Sequence, residues 1–380
     1  MKTDLVKGFV DYTGKDAEKR AIIIEVIRQT YERYGFAPAE TPVIEYEEFA
    51  KGDNKDDEAI RDIFKLTDRG KRKLALRYEF TFQLKRIAKN KKLPFKRYQI
   101  GYNFRDEPIR VGRTRQFIQC DADIIGSNVK DEAENISIIK EVLSKLKIDF
   151  IIYVNNRKLI NEILGNAGIK DKEPVIRELD KLDKLSKKQV KENLKKYNAE
   201  DLVDIFTKSE EFYKKYNGYK EIEELKEYCK IFGVKVEFRP FLARGFSYYN
   251  GTVIEVWSKD LPVSILGGGS YMIENNQATG ISFGLEPLMI LTKMKLELEK
   301  YLIVSLNQDK KAIQLAKQLR QKGKNVSVFY GKPSKALEYA NSYGIKKVIF
   351  IGEEEVKKKI LKVKDMISGK ERRFEVKEIK

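Results

Sequence analysis

The sequence predicts an α+β protein. A mostly antiparallel sheet flanked by helices is interrupted by a small helical insertion and followed by a compact α/β domain at the C-terminus. Three observations carry that expectation. Short strand-like runs recur between residues 73 and 266 with turn residues between them. A charged, helix-patterned stretch with few strand signals lies between residues 171 and 219. From residue 301 strands and helices alternate, which indicates a largely parallel layer.

Taken in order, residues 17–34 place Ile23, Val26, Ile27 and Tyr31 near helical spacing, with Lys, Arg and Glu on the other face. Gly35 stops that helix, and Pro42 sits in an extended stretch over 39–45. Strands are expected at 73–77, 96–103, 116–125, 150–154, 252–256 and 263–266, with a long helix over 130–146. Glu173-Pro174 opens the charged stretch, whose most distinctive run is Asp180-Lys181-Leu182-Asp183-Lys184. It reads as an insertion; a solvated helical face of the main domain is the alternative. A second boundary falls near Glu299. Beyond it come a strand at 301–306, a helix at 310–322, a strand at 325–330, a helix at 335–343 and a strand at 347–351, then a short helix and strands. The resulting division is 1–170, 171–219, 220–299 and 300–380. Residues 301–380 hold 20 Lys and Arg against 9 Asp and Glu, so +11 of the chain's +18 lies there. Such a balance suits a polyanion, nucleic acid above all, unless it only reflects lysine abundant throughout.

Composition excludes much else. A chain of 380 residues, 42% of them hydrophobic, can bury real cores and is not a disordered polyelectrolyte. No apolar run approaches the roughly 20 residues that span a bilayer, so no membrane is expected; residues 148–154 read as a buried strand. The start, Met1-Lys2-Thr3-Asp4, lacks the apolar stretch of a signal peptide. Cys120 and Cys229 are the only cysteines, which removes a disulfide framework and any cysteine-rich zinc site and points to the cytoplasm. Histidine is absent. There can be no imidazole base, no Ser-His-Asp triad and no His-ligated metal, so chemistry must rest on carboxylates, cations, hydroxyls and backbone dipoles.

Three stretches hold residues suited to that chemistry. Residues 105–115 carry Arg105, Arg110, Arg113 and Arg115, with Asp106 and Glu107 between them, flanked by two strand-like runs. Guanidinium is always charged and binds oxyanions in two-pronged fashion, which favours phosphate binding at such a hairpin; cross-strand ion pairs on an exposed hairpin are the alternative. Arg244-Gly245-Phe246-Ser247-Tyr248-Tyr249 brings another arginine and two tyrosines just before a strand. Gly267-Gly268-Gly269 at a strand end suggests close approach of backbone to a ligand or another strand, or simply a tight turn.

In this order the stretches resemble histidyl-tRNA synthetases, which are class II aminoacyl-tRNA synthetases, over nearly the whole chain. Gly35-Phe36 with Glu40-Thr41-Pro42-Val43-Ile44-Glu45 is similar to motif 1, which builds a homodimer interface, and residues 104–117 to motif 2. Leu76-Arg77-Tyr78-Glu79-Phe80-Thr81 resembles the family's Arg-Pro-Glu-Gly-Thr loop, with Tyr78 and Phe80 as departures. The 244–249 and 267–271 runs resemble the two histidine signatures. Gln119-Cys120-Asp121-Ala122-Asp123-Ile124 and residues 180–184 resemble the archaeal and eukaryotic branch.

The resemblance implies an enzyme that joins L-histidine and ATP into histidyl-adenylate, then transfers the histidyl group to tRNA(His), which the C-terminal domain would grip at its anticodon. Arg105 and Arg244 would hold the α-phosphate, Glu107 would meet the adenine, and Arg113 would lie near the outer phosphates, bridged by Mg2+. Glu79, Thr81 and Gln119 would bind the substrate's amino group. Asp123 and Tyr249 would bracket its imidazole, with Tyr248 and Tyr271 completing the pocket. Pro287 stands where the third class II motif has an arginine, Ser247 replaces an aspartate, and Ser270-Tyr271-Met272 replaces Arg-Tyr-Asp. A non-catalytic paralogue that binds histidine or tRNA, like the regulatory subunit of ATP phosphoribosyltransferase, is the alternative; the basic C-terminal domain and the retained Arg105, Glu107 and Arg244 argue against it. The missing histidines fit either translation that survives histidine starvation or compositional drift.

Overall fold

The computed structural model describes residues 3–52, 58–243, 248–294, 298–358 and 360–375. Two compact units emerge: Met1–Asp11 with Arg20–Met294, and Tyr12–Lys19 with Lys295–Lys380.

In the larger unit the strands run, in chain order, β1 (Ala37–Pro38), β2 (Ile44–Tyr46), β3 (Lys65–Thr67), β4 (Lys73–Leu76), β5 (Phe95–Phe104), β6 (Gln116–Ile125), β7 (Ile151–Asn156), β8 (Glu237–Phe238), β9 (Tyr249–Ser258), β10 (Leu261–Ile273) and β11 (Asn276–Gly284). Eight form one sheet in the order β1-β5-β6-β11-β10-β9-β7-β8. Its interior pairs are antiparallel, and only the two edge strands β1 and β8 pair parallel. A small sheet, β2-β4-β3, sits apart.

Helices cover this sheet because their apolar faces need partners. Gly14–Arg33 buries Ile23, Ile27 and Tyr31, and the Tyr31 hydroxyl donates to the Cys120 carbonyl at 2.7 Å. Gly35 ends it by taking φ +78°, a conformation that other residues adopt at a cost. Val129–Lys145 is capped by Asn128, whose side chain accepts from Lys130 N while Asp131 accepts from Asn128 N, and it buries Ile136, Ile139, Val142 and Leu143. Its Glu132 also turns inward. That carboxylate accepts from Thr252 Oγ1 at 2.5 Å and from the Ser270 hydroxyl, and burial pushes its pKa up.

The glycine run does not end a strand. Gly267, Gly268 and Gly269 lie inside the 13-residue β10, paired with Ser282, Ile281 and Gly280 on one side and with Glu255, Ile254 and Val253 on the other. Of the readings open from sequence, close approach to another strand is the one realised there. A Cβ on Gly268 would fall 2.5 Å from the Gly280 carbonyl oxygen, and one on Gly269, at φ +150°, 2.3 Å from that of Thr252.

Over residues 172–219 the helices Lys172–Leu179, Lys187–Leu194 and Leu202–Ile205 alternate with 3₁₀ turns. They are more than a solvated face. Val175, Leu179, Val190, Leu194 and Val203 share a core with Leu159 and Ile163 of the preceding helix Arg157–Asn166.

The smaller unit holds a five-stranded sheet of β12 (Lys300–Ser305), β13 (Asn325–Tyr330), β14 (Lys347–Ile351), β15 (Ile360–Asp365) and β16 (Glu371–Glu375), in the order β13-β12-β14-β15-β16. The first three are parallel, and the last two add an antiparallel hairpin. Strand β12 is apolar on both faces, as a central parallel strand must be. Tyr301 and Ile303 pack with Leu315 and Leu319 of the helix Asp309–Gln321, whereas Leu302 and Val304 pack with Ala336 and Ala340 of Pro333–Ser342.

Both cysteines are buried. Burial pushes the Cys120 thiol well above its usual range and the Cys229 thiol up to about 12. Among the described residues no helix is long and apolar enough to cross a membrane.

Candidate active site

Side chains alternate along a strand, so Gln119, Asp121 and Asp123 share one face of β6 while Cys120, Ala122 and Ile124 point into the core. On that same face β5 sets Gln99 opposite Asp121 and Arg97 opposite Asp123. From the other side β11 sets Gly284, Ser282 and Gly280 opposite Gln119, Asp121 and Asp123. Gly267 and Gly284, bare of side chains, leave a hollow over the middle of the sheet. Gly280 gives room to a carboxylate instead: a Cβ there would fall 2.1 Å from Asp123 Oδ1.

One wall of the hollow is the β5–β6 hairpin. Its loop closes by reciprocal backbone hydrogen bonds between Arg110 and Arg113, with Gly112 at φ +73°. The Arg105 Nε donates to the Tyr78 carbonyl at 3.1 Å, and its guanidinium lies 5.1 Å from the centre of the Phe117 ring. Arg113 pairs with Glu107 at 3.3 Å and Arg115 with Asp106 at 2.9 Å. The ion pairs foreseen as the alternative therefore exist alongside the cluster of cations. Pairs this exposed are worth about 0–1 kcal/mol, so an entering phosphate can displace them. A second wall is the helix Leu285–Leu291, held by buried Glu286, which accepts from Arg20 Nη2 at 3.0 Å and from Ile118 N at 3.3 Å. Pro287 stands in its first turn, where no N–H is needed, and faces the cleft without bringing a cation.

Of the residues singled out from sequence, Glu79, Thr81, Arg105, Glu107, Arg113, Gln119, Tyr248 and Tyr249 line this one cleft. Tyr271 does not; it lines a smaller adjoining hollow with Glu79, Thr81 and Tyr248. Asp123 lines neither. Its carboxylate is closed off by Arg97 Nη2 at 2.7 Å and by the Tyr271 hydroxyl, which donates to Oδ1. Burial still raises its pKa against the pull of both partners. Arg244, together with Gly245, Phe246 and Ser247, lies outside the described residues.

Sequence reasoning overlooked Asp121, Ser282, Asn103 and Arg97. Asn103 Nδ2 donates to Gln119 Oε1 at 2.6 Å, Gln119 Nε2 to Ser282 Oγ at 2.7 Å, and Ser282 Oγ to Asp121 Oδ1 at 2.5 Å. Burial, then the Asp123 charge, push the Asp121 carboxyl up to about 8. The period of β6 could have flagged Asp121, because it lies between two residues already chosen on one face. Nearby, Tyr248 Oη donates to Glu79 Oε2 at 3.4 Å, and its ring meets those of Tyr249 and Tyr271 at 4.8 and 5.6 Å. Among the described residues no group of three or more Asp, Glu or Cys could hold a metal ion. The cleft thus has a cationic end, suited to phosphates, and a carboxyl-rich end, suited to an amine or another N–H donor.

The family model described as "Histidyl-tRNA synthetase" matches residues 8–288, and the one described as "Anticodon binding domain" matches residues 300–380. Histidine–tRNA ligase 1 of Bacillus cereus is 34% identical, over 98% of this chain and 95% of its own length. The histidine–tRNA ligase of Helicobacter pylori is 33% identical, over 96% and 94%. The crystal structure of histidyl-tRNA synthetase from Nostoc sp. superposes with a TM-score of 0.86 at 25% identity, covering 99% of this chain and 97% of that one. These relatives are bacterial and lend no support to an archaeal or eukaryotic branch.

Proposed function

The chain belongs to the histidyl-tRNA synthetase family, and from that membership we propose that the cleft over β6 is where it brings ATP and histidine together. It is a histidine–tRNA ligase, an ATP-dependent aminoacyl-tRNA synthetase whose C-terminal domain is of the anticodon-binding kind. One observation carries the placement: residues from five separate stretches of sequence, 79–81, 105–121, 248–249, 263–267 and 282–287, converge on a single hollow with a cationic end and a carboxyl-rich end.

In this reading the histidine carboxylate attacks the α-phosphorus of ATP, and pyrophosphate leaves. Charge grows on the phosphoryl oxygens, and Arg105, already anchored through its Nε to the Tyr78 carbonyl, meets it without reorganising. Arg244 is assigned to the same phosphate from sequence. Glu107 receives the adenine and Arg113 the outer phosphates. At the other end Glu79, Thr81 and Gln119 hold the α-ammonium group, Tyr249 meets the imidazole, and Tyr248 packs against Tyr249. The ribose hydroxyl of the tRNA terminus then attacks the acyl carbon and releases AMP.

A divalent ion such as Mg2+ fits this cleft as a companion of ATP. Among the described residues no cluster of carboxylates could cage such an ion, so its ligands would come mainly from the phosphates. The same reading takes residues 1–170 and 220–299 as the catalytic domain, 171–219 as an insertion and 300–380 as the anticodon-binding domain, in a cytoplasmic homodimer.

Histidine-dependent ATP–pyrophosphate exchange tests the placement. Arg105→Ala should lower its rate at saturating substrates by about 10²–10³. Exchange within a few fold of the unaltered enzyme would place the phosphate elsewhere.

A further inference from the structure

Behind the cleft the pairing of two strands takes a step. Along β9 and β10, Gly269 stands opposite Val253 and Tyr271 opposite Tyr249, so residues 250–252 of β9 face Ser270. A bulge of this kind interrupts the ladder and re-aims the side chains beside it. Here those are Tyr249, on the cleft, and Tyr271, on the adjoining hollow. One carboxyl spans the step from the reverse face. Glu132, in the first turn of the helix Val129–Lys145, accepts from Thr252 Oγ1 of β9 at 2.5 Å and from the Ser270 hydroxyl of β10. We infer that Glu132 is a positioning residue for histidine binding: through Thr252 and Ser270 it fixes the offset of β9 and β10 that aims Tyr249 and Tyr271. The inference rests on the assignment of this cleft to histidine and ATP.

Direction is the first argument. Successive side chains leave opposite faces of a strand, so Ser270 points away from Tyr271. Tyr271 donates to Asp123 on the cleft side, and Ser270 donates to Glu132 behind. Thr252 joins Ser270 on that reverse side, because one carboxyl receives both. Glu132, Thr252 and Ser270 all lie outside the lining of the two hollows, so the carboxyl acts on a ligand only through the strands.

Tightness is the second. A Cβ on Gly269 would fall 2.9 Å from the Tyr249 ring, and one on Gly251 3.2 Å from Ser270 Cβ. The strands have no slack where they step, so a slide of either one moves a tyrosine ring. Tyr248 links the two rings, at 4.8 Å from Tyr249 and 5.6 Å from Tyr271.

Burial is the third. Glu132, Thr252 and Ser270 are each more than nine-tenths buried. Burial opposes the carboxylate's charge, while the Ser270 and Thr252 hydroxyls favour it. Hydrogen bonds to an ionised acceptor are stronger than neutral ones, and removing that acceptor leaves two buried hydroxyls without it.

The test measures histidine-dependent ATP–pyrophosphate exchange and melting temperature in the full chain. Glu132→Ala should raise the histidine KM about tenfold, with the ATP KM and the kcat within a few fold of the unaltered enzyme. Thr252→Val removes one donor at nearly constant volume and should raise the histidine KM about threefold, again selectively. A tie that serves stability alone would lower the melting temperature and leave both KM values in place; that result in Glu132→Ala overturns the inference. So does an equal rise in the KM of histidine and of ATP. If Glu132→Ala does not fold, Thr252→Val decides by the same two criteria. Arg105→Ala separates the two levels. If it abolishes exchange while Glu132→Ala keeps the histidine KM, the cleft assignment stands and only the role of Glu132 falls.

Discussion

Asp121 carries its proton into a range where most carboxyls have lost theirs, because it is buried and sits beside Asp123. The unfolded chain gives that proton up near pH 4, the folded chain only near 8. Between those values the folded state binds more protons, so its stability falls as pH rises. Asp121→Asn removes this contribution. Its melting temperature relative to the unaltered protein should therefore climb from pH 5 to 8 and level off above, measured at constant ionic strength. A gap that stays constant across the range would mean that Asp121 titrates normally. At this scale much of the site was legible: Glu79, Thr81, Gln119 and the arginines of 105–113 are marked by residue type and order. The enclosure of Asp123 was not, because Arg97 is 26 positions away in sequence and reaches it only through the register between β5 and β6. Nothing local encodes that register.

Strands show the same limit at the next scale. The sequence marks β6 over 116–125, as the structure has it, because alternation of Ile118, Cys120, Ala122 and Ile124 with polar residues is a local signal. The glycines predict an end to β10 at 266, since glycines usually punctuate strands; Gly268 and Gly269 instead continue it, because the neighbouring strands leave no room there for a side chain. Gly269→Ala meets two obstacles at once, the contact with the Thr252 carbonyl and φ +150°. It should destabilise the fold by about 1–3 kcal/mol in urea unfolding. A loss below about 0.5 kcal/mol would show that β9 and β10 can part without cost. Helix Val129–Lys145 lies within a residue, at each end, of the 130–146 that its pattern predicts, since that period is written locally.

At the scale of the whole chain, charge and cores are distributed by unit. The smaller unit packs its own two faces around β12, and residues 301–380 carry +11 of the +18. Removing residues 295–380 should leave histidine-dependent pyrophosphate exchange within a few fold while tRNA charging collapses. In the full chain, tRNA affinity should fall steeply as salt rises from 50 to 200 mM. Equal loss of both activities on truncation would assign the module to support of the catalytic fold. The two thiols carry a different consequence for the molecule as a whole. Cys120 and Cys229 are the chain's only cysteines, both buried and both with pKa values raised by burial. Alkylating reagents attack thiolate, so they meet almost no target until the core opens. A native preparation is thus chemically silent toward maleimides, and a single cysteine engineered onto the surface becomes a unique handle for a fluorophore, with no background to subtract.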